Sequence, residues 1–194
     1  MPSVTRILLS TAFILTLTSQ LSGCITAAVV GGAAAGGAIA TDRRTAGIYV
    51  EDENIELKAF KQMATTLSKE AHINITSYNL NVLLTGEVPN EEARTEVENI
   101  VKAIENVRNI TNEIVVGPKT SISDRANDTY LTSIVKGKFV AEKNFSANSV
   151  KVVTEASVVY LMGIVSHHEG DLATEIARTT DGVVKVVKVF EYSN

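Results

Sequence analysis

Residues 157–183 read SVVYLMGIVSHHEGDLATEIARTTDGV, and the rest of the chain can be placed around them. Residues 157–165 form an apolar run with Gly163 near its end, the length and composition of a buried strand. Ser166 and Glu169 then stand at the Ser-x-x-Glu spacing of a capping box, in which each side chain takes up a free amide at a helix start. Ile176 and Ala177 continue that helix, Asp181-Gly182 ends it, and Val183 leads into a closing strand over 184–192. Upstream, 149–154 pairs with the first strand as a hairpin around Glu155-Ala156. Before the hairpin, Asp124 caps a helix whose Leu131, Val135 and Phe139 recur at helical spacing and face a core. The order is helix, strand, strand, helix, strand.

The preceding residues repeat it. From Asn54, the residues Ile55, Leu57, Phe60, Met63, Ala64 and Leu67 form a helical stripe. Residues 72–77 and 80–88 read as strands joined by a tight turn at Tyr78-Asn79, with Val82, Leu83 and Leu84 preceding Gly86. Pro89-Asn90-Glu91-Glu92 starts a second helix, with Asn90 as cap and two glutamates at the positive end of the dipole. Val97, Ile100, Val101 and Ile104 supply its buried face, and 108–116 closes the unit with Ile110, Ile114 and Val116 on one side. Gly86 and Gly163 lie 77 residues apart, and Val107 and Val183 follow the two second helices. This is a duplication. The expected fold class is α+β, two tandem units, each a small three-stranded mixed sheet with two helices packed on it and Gly86 equivalent to Gly163.

The N-terminal residues have another character. Arg6, an apolar stretch over 7–17 and Leu21-Ser22-Gly23-Cys24 make a secretory signal ending in a cysteine. That ending resembles the lipobox of bacterial lipoproteins, which implies acylation of Cys24, the one cysteine in the chain. The expected layout is a signal over 1–23, an acylated cysteine and Gly/Ala-rich linker over 24–47, and folded units over 48–117 and 118–194. Residues 25–40 suit either a spacer or a segment lying at the membrane interface. Thr41-Asp42-Arg43-Arg44-Thr45 then returns the chain to water. No later apolar run reaches the roughly 20 residues of a spanning helix.

Charge narrows the function. Cutting before Cys24 removes one basic residue and leaves a net charge of −5, which argues against nucleic acid as a partner. His167 and His168 are adjacent and point about 100° apart on a helix, so they do not form a ready chelate. Glu91, Glu92, Glu96 and Glu98 read as a solvated face. No nucleophile elbow, phosphate loop or dinucleotide fingerprint occurs. The expectation is a monomer without enzymatic activity, cofactor or metal.

Each unit resembles a BON domain, on the apolar strand ending in Gly, the capped helix, the valine at its end and the closing strand: in the second copy, Leu161-Met162-Gly163-Ile164-Val165, Ala173 to Ala177 and Asp181-Gly182-Val183. Two such units behind a lipobox are similar to the dual-BON outer-membrane lipoproteins associated with division and envelope integrity, a likeness extending to 24–31 and Ala126-Asn127-Asp128-Thr129-Tyr130. The resemblance implies a protein on the periplasmic side of the outer membrane, and Ile25 after the cysteine is consistent with that sorting. It also implies that the second unit binds anionic phospholipid through its first helix.

The residues give that helix some support of their own. Tyr130, Ser133, Ile134, Gly137 and Ala141 cluster away from the core stripe, Lys136 and Lys138 flank them, and Lys143 follows. An aromatic, small residues and edge lysines suit a lipid interface. The family pattern has tryptophan where Tyr130 stands, which implies a weaker anchor here. From the residues alone, the same face also suits packing on the first unit or plain solvent. The alternative role is an envelope scaffold that uses the Tyr130 face to bind an outer-membrane assembly or cell-wall-remodelling protein.

Overall fold

Two tight turns organise the structure, a computed structural model that describes residues 42–193 apart from Lys69 and Asn144. The expected signal, Cys24 and the Gly/Ala-rich segment lie outside the described residues. The first unit runs α1 (Ala46–Thr66), β1 (His72–Tyr78), β2 (Asn81–Val88), α2 (Glu91–Lys102), β3 (Asn109–Asn112) and β4 (Val115–Val116). The second runs α3 (Ile122–Ala141), a 3-10 turn (Ala147–Ser149), β5 (Val150–Glu155), β6 (Val158–Val165), α4 (His167–Arg178) and β7 (Lys185–Tyr192). In each unit the hairpin is antiparallel and the strand after the second helix joins the central strand in parallel, so both sheets are mixed.

Both hairpins turn through two residues at positive φ: Asn79 (53°) and Leu80 (66°), then Ala156 (49°) and Ser157 (61°). Such turns favour glycine, yet none of the four residues is one. An aspartate on the first helix of each unit offsets the cost. Asp52 accepts the amides of Asn79 and Leu80, both at 2.8 Å, and the Ser77 hydroxyl at 2.6 Å. Asp128 accepts the amides of Ala156 at 3.0 Å and Ser157 at 2.8 Å. Both carboxylates are buried.

Side-chain alternation along the central strands builds three cores. Val82, Leu84 and Val88 face Ile55, Ala59, Met63, Val97 and Val101 of the first two helices. Val159, Leu161 and Val165 face Val135, Phe139, Ala173 and Ala177 of the other two. Leu83, Tyr160 and Met162, on the opposite faces, meet each other with Tyr78, so the sheets stand back to back and the helices lie outside. Gly86 and Gly163 sit at equivalent positions of β2 and β6, opposite Ile73 and Val150. A Cβ at Gly86 would lie 2.1 Å from the His72 carbonyl oxygen and one at Gly163 would lie 2.4 Å from that of Ser149. Only glycine fits either place.

Several sequence readings shift. Both turns fall one residue later than expected, at Asn79-Leu80 and Ala156-Ser157. Helix α1 starts eight residues before Asn54, capped by Thr45, and Leu57 and Phe60 are exposed instead of core. Ser121 caps α3, while Asp124 completes its capping box. The closing run of the first unit breaks where the Asn112 side chain accepts the Ile114 amide, leaving Val116 exposed. Residues 42–47, expected to finish the linker, join the folded unit. Arg43 donates to the Ile164 carbonyl at 2.8 Å and pairs with both oxygens of Glu169. Arg44 bridges Asp42 and Asp52 and lies 4.1 Å from the Tyr78 ring centroid.

If the carboxylates hold the turns, Asp128→Ala and Asp52→Ala each lower unfolding stability by about 1–3 kcal/mol, because the turn amides, buried at Asn79 and part-buried at the other three, lose a charged acceptor. Asn at either position, which keeps one acceptor oxygen, is expected to recover about half. Urea unfolding of the variants checks this, and Ala variants within about 0.5 kcal/mol of wild type would refute it.

Candidate functional site

The Ser121–Asp124 capping box starts α3: the Ser121 hydroxyl accepts the Asp124 amide at 3.1 Å and donates to the Asp124 carboxylate at 2.7 Å. These bonds hold Asp124 below the usual carboxylate range. The helix then runs for 20 residues, about 30 Å. Asp128, Leu131, Val135 and Phe139 are its buried positions.

The opposite side is an uncharged, exposed stripe. Tyr130 is 64% exposed, and Ala126, Ser133, Gly137 and Ala141 are exposed beside it. Ile134 is half-buried at one border. Two residues missed in the sequence lengthen the stripe: Ile122 is 80% and Val140 75% exposed. They are five helical turns apart on one azimuth, about 27 Å end to end. The 18-residue spacing carries the signal for both, but a helix capped by Asp124 excludes Ile122, and Val140 lies between two lysine-flanked turns of the face.

The two flanking lysines play different parts. Lys136 is exposed and unpaired among the described residues. Lys138, though exposed, donates from Nζ to the Thr179 carbonyl at 3.3 Å and the Thr180 hydroxyl at 3.0 Å. It thus binds the negative end of α4. Lys143 is exposed beyond the helix end. Tyr130, Ser133, Lys136, Gly137 and Ala141 therefore share one open surface, with Ile134 and Lys138 at its edge.

Elsewhere, His167 and His168 are the first residues of α4, both exposed, and the His167 ring stacks on Tyr192 at 4.3 Å. Among the described residues no group of three or more His, Cys, Asp or Glu side chains is placed to hold a metal ion. Among them, too, no helix is long and apolar enough to cross a membrane.

The repeated architecture has a counterpart among known proteins: the BON domain family model matches residues 51–118 and again 127–194. The chain belongs to the BON-domain family. It is 38% identical over 183 residues to the outer membrane lipoprotein DolP of Haemophilus influenzae, covering 93% of this chain and 94% of that one. Identity to the 21 kDa hemolysin of Actinobacillus pleuropneumoniae is 37% over 153 residues, covering 78% and 79%. The osmotically-inducible protein Y of Escherichia coli is 31% identical over 121 residues, with coverage of 61% and 60%. This is a dual-BON, DolP-like lipoprotein of the outer membrane, lipid-anchored on the periplasmic side.

The two lysines of this BON helix are separable by stability. Lys138→Ala is expected to cost about 0.5–1 kcal/mol, because the end of α4 loses a charged donor. Lys136→Ala should stay within about 0.5 kcal/mol of wild type. Equal effects in thermal or urea unfolding would mean that the Lys138 contact carries no weight in solution.

Proposed function

We propose that the outer face of α3 binds anionic phospholipid while acyl chains on Cys24 hold the protein to the outer membrane, and that this binding supports envelope integrity at division sites. The observation that carries the reading is the uncharged stripe from Ile122 through Tyr130 to Val140 with Lys136 at its border. An aromatic and two aliphatic side chains standing clear of the core offer apolar area to the acyl boundary. The lysine is placed for a phosphate head group. Such a face acts by binding, and the protein is read as a non-enzymatic module. Burying each CH₂ of an acyl chain contributes roughly 0.8 kcal/mol and one chain anchors only marginally, so anchorage falls to the multiply acylated cysteine and α3 sets the orientation.

A second reading, the scaffold, uses the same stripe to bind an outer-membrane assembly or cell-wall-remodelling protein. Vesicle binding separates the two. Tyr130→Ala combined with Lys136→Glu is expected to weaken binding of the mature, unacylated chain to phosphatidylglycerol vesicles by about tenfold or more. A basic residue near an anionic surface contributes roughly 1 kcal/mol, and reversing it costs more than losing it. The thermal midpoint should barely move, since both residues are exposed. Raising salt should weaken wild-type binding. Unchanged affinity in the double variant would exclude α3 as the lipid site and favour the scaffold.

The anchor is tested apart from the helix. Cys24→Ala should release the chain from outer-membrane fractions into the soluble periplasmic fraction, and recovery of an acylated variant in the membrane would refute the assignment.

A further inference from the structure

The duplication provides its own comparison. Asp52, Ile55, Ala59 and Met63 of α1 occupy the positions of Asp128, Leu131, Val135 and Phe139 of α3, each pair 76 residues apart. With the inner faces matched, the outer residues diverge: Leu57 and Phe60 stand where α3 carries Ser133 and Lys136. Leu57 is 50% and Phe60 63% exposed. Glu53 and Glu56 line this flank of α1, Glu56 paired with Lys151 of the second unit at 3.0 Å, while Lys58 and Lys61 do not line it.

Beneath Phe60, between α1 and β1, runs an open apolar groove. One cavity of about 270 Å³ lies among Phe60, Met63, Leu67, Ile73 and Ile75, and a second of about 380 Å³ adjoins it along Leu57 and Glu53. In the second unit the same place is filled. The connection from α3 to β5 has eight residues, against five from α1 to β1, and its Phe145 is buried with its ring 4.8 Å from that of Phe139. Phe139 is the counterpart of Met63, and Val150, opposite Gly163, is the counterpart of Ile73. What closes this slot in one copy is thus a phenylalanine of its own chain.

The groove also borders backbone. β1 is an edge strand. The Ser77 amide points away from β2 and donates to Glu56 at 2.7 Å, and the Ser77 carbonyl accepts from Lys151 at 3.4 Å, so the edge is occupied at that end. By strand alternation, Ile75 and Ile73 direct their amides and carbonyls to the same outer edge. An edge left open at Ile73 and Ile75 beside this groove is the geometry of recognition by strand addition. Charge selects the partner's sign: residues 48–117 hold twelve acidic and six basic residues, while 118–194 hold nine of each.

We propose that this groove receives an extended, basic segment of a partner protein, which adds to the β1 edge and seats a large apolar side chain against Phe60, Met63 and Ile73. The site is independent of the α3 lipid face. One slot of the duplicated fold is thus closed internally, and its twin is left open for a protein.

A short synthetic peptide that alternates lysine with valine and carries one central phenylalanine serves as the probe, titrated into the mature, unacylated chain. Saturable binding is expected, with amide shifts confined to α1 and β1. Phe60→Lys should weaken it roughly tenfold or more, as should high salt, while Tyr130→Ala with Lys136→Glu should leave it intact. A peptide with proline beside the central phenylalanine should not bind, because it cannot pair along the edge. No saturable binding, unchanged binding to the Phe60→Lys variant or equal binding of the proline peptide would each overturn the proposal. A Phe60-dependent dimer without peptide would overturn it by giving the groove to a second copy.

Discussion

A buried carboxylate on the first helix of each unit, receiving the two amides of a left-handed turn, is the contact on which the other positions depend. Turn residues with side chains resist positive φ, and buried amides without partners cost more than the bonds they forgo. Asp52 and Asp128 answer both requirements. The same bonds fix where each helix lies along the hairpin and how it is rotated. With Asp128 turned to the hairpin, Leu131, Val135 and Phe139 must enter the core, and Tyr130, Ser133 and Gly137 must face out. The exposed face of α3 is thus set from the opposite side of the helix.

This explains what the sequence disclosed and what it hid. Gly86 and Gly163 stood out because nothing but glycine fits beneath the neighbouring strand, and the Ser166–Glu169 capping box read correctly because its two bonds are local. A search for apolar periodicity passes over an aspartate on the buried face, so Asp52 was missed and the stripe of α1 was drawn through Leu57 and Phe60. Once Asp52 belongs to the stripe, it runs through Ile55, Ala59 and Met63, and the two larger side chains swing into solvent. The outward place of Tyr130 and Lys136 was legible because Leu131, Val135 and Phe139 are apolar enough to orient α3. The separate employment of Lys138 was not, since its partners Thr179 and Thr180 lie 41 and 42 residues away.

Two carboxylates, Glu169 in the first turn of α4 and Glu155 at the end of β5, have pH dependences that oppose each other. Bonds from the Arg43 guanidinium hold Glu169 down to about 2 from an ordinary 4.5. Its contribution is therefore complete above 4.5 and disappears as pH falls toward 2. Burial moves Glu155 the other way, despite the 2.6 Å bond it accepts from Asn74. Its ionisation weighs against the fold at neutral pH, and that burden lifts as acid protonates it at a raised pKa. Acidification thus weakens the strap at Arg43 while easing the interface beside Asn74. Arg44, bonded to Asp42 and Asp52 and stacked against Tyr78, keeps its charge throughout and ties the start of the folded unit to the first turn.

Anchorage changes what the α3 face has to achieve. Under the proposed function, with acyl chains on Cys24 in the bilayer, lipid contact by α3 would be an intramolecular event, and effective concentrations across short connections are of order millimolar. A face with only millimolar affinity would then be engaged about half the time, so the single exposed ring of Tyr130 would suffice as its aromatic anchor. The unequal charge of the two units adds direction to that engagement. An anionic surface repels the acidic first unit and leaves the neutral second, with Lys136 exposed on its outer helix, as the side that approaches. The proposed orientation would therefore follow from the unlike outer surfaces of two helices with matched inner faces.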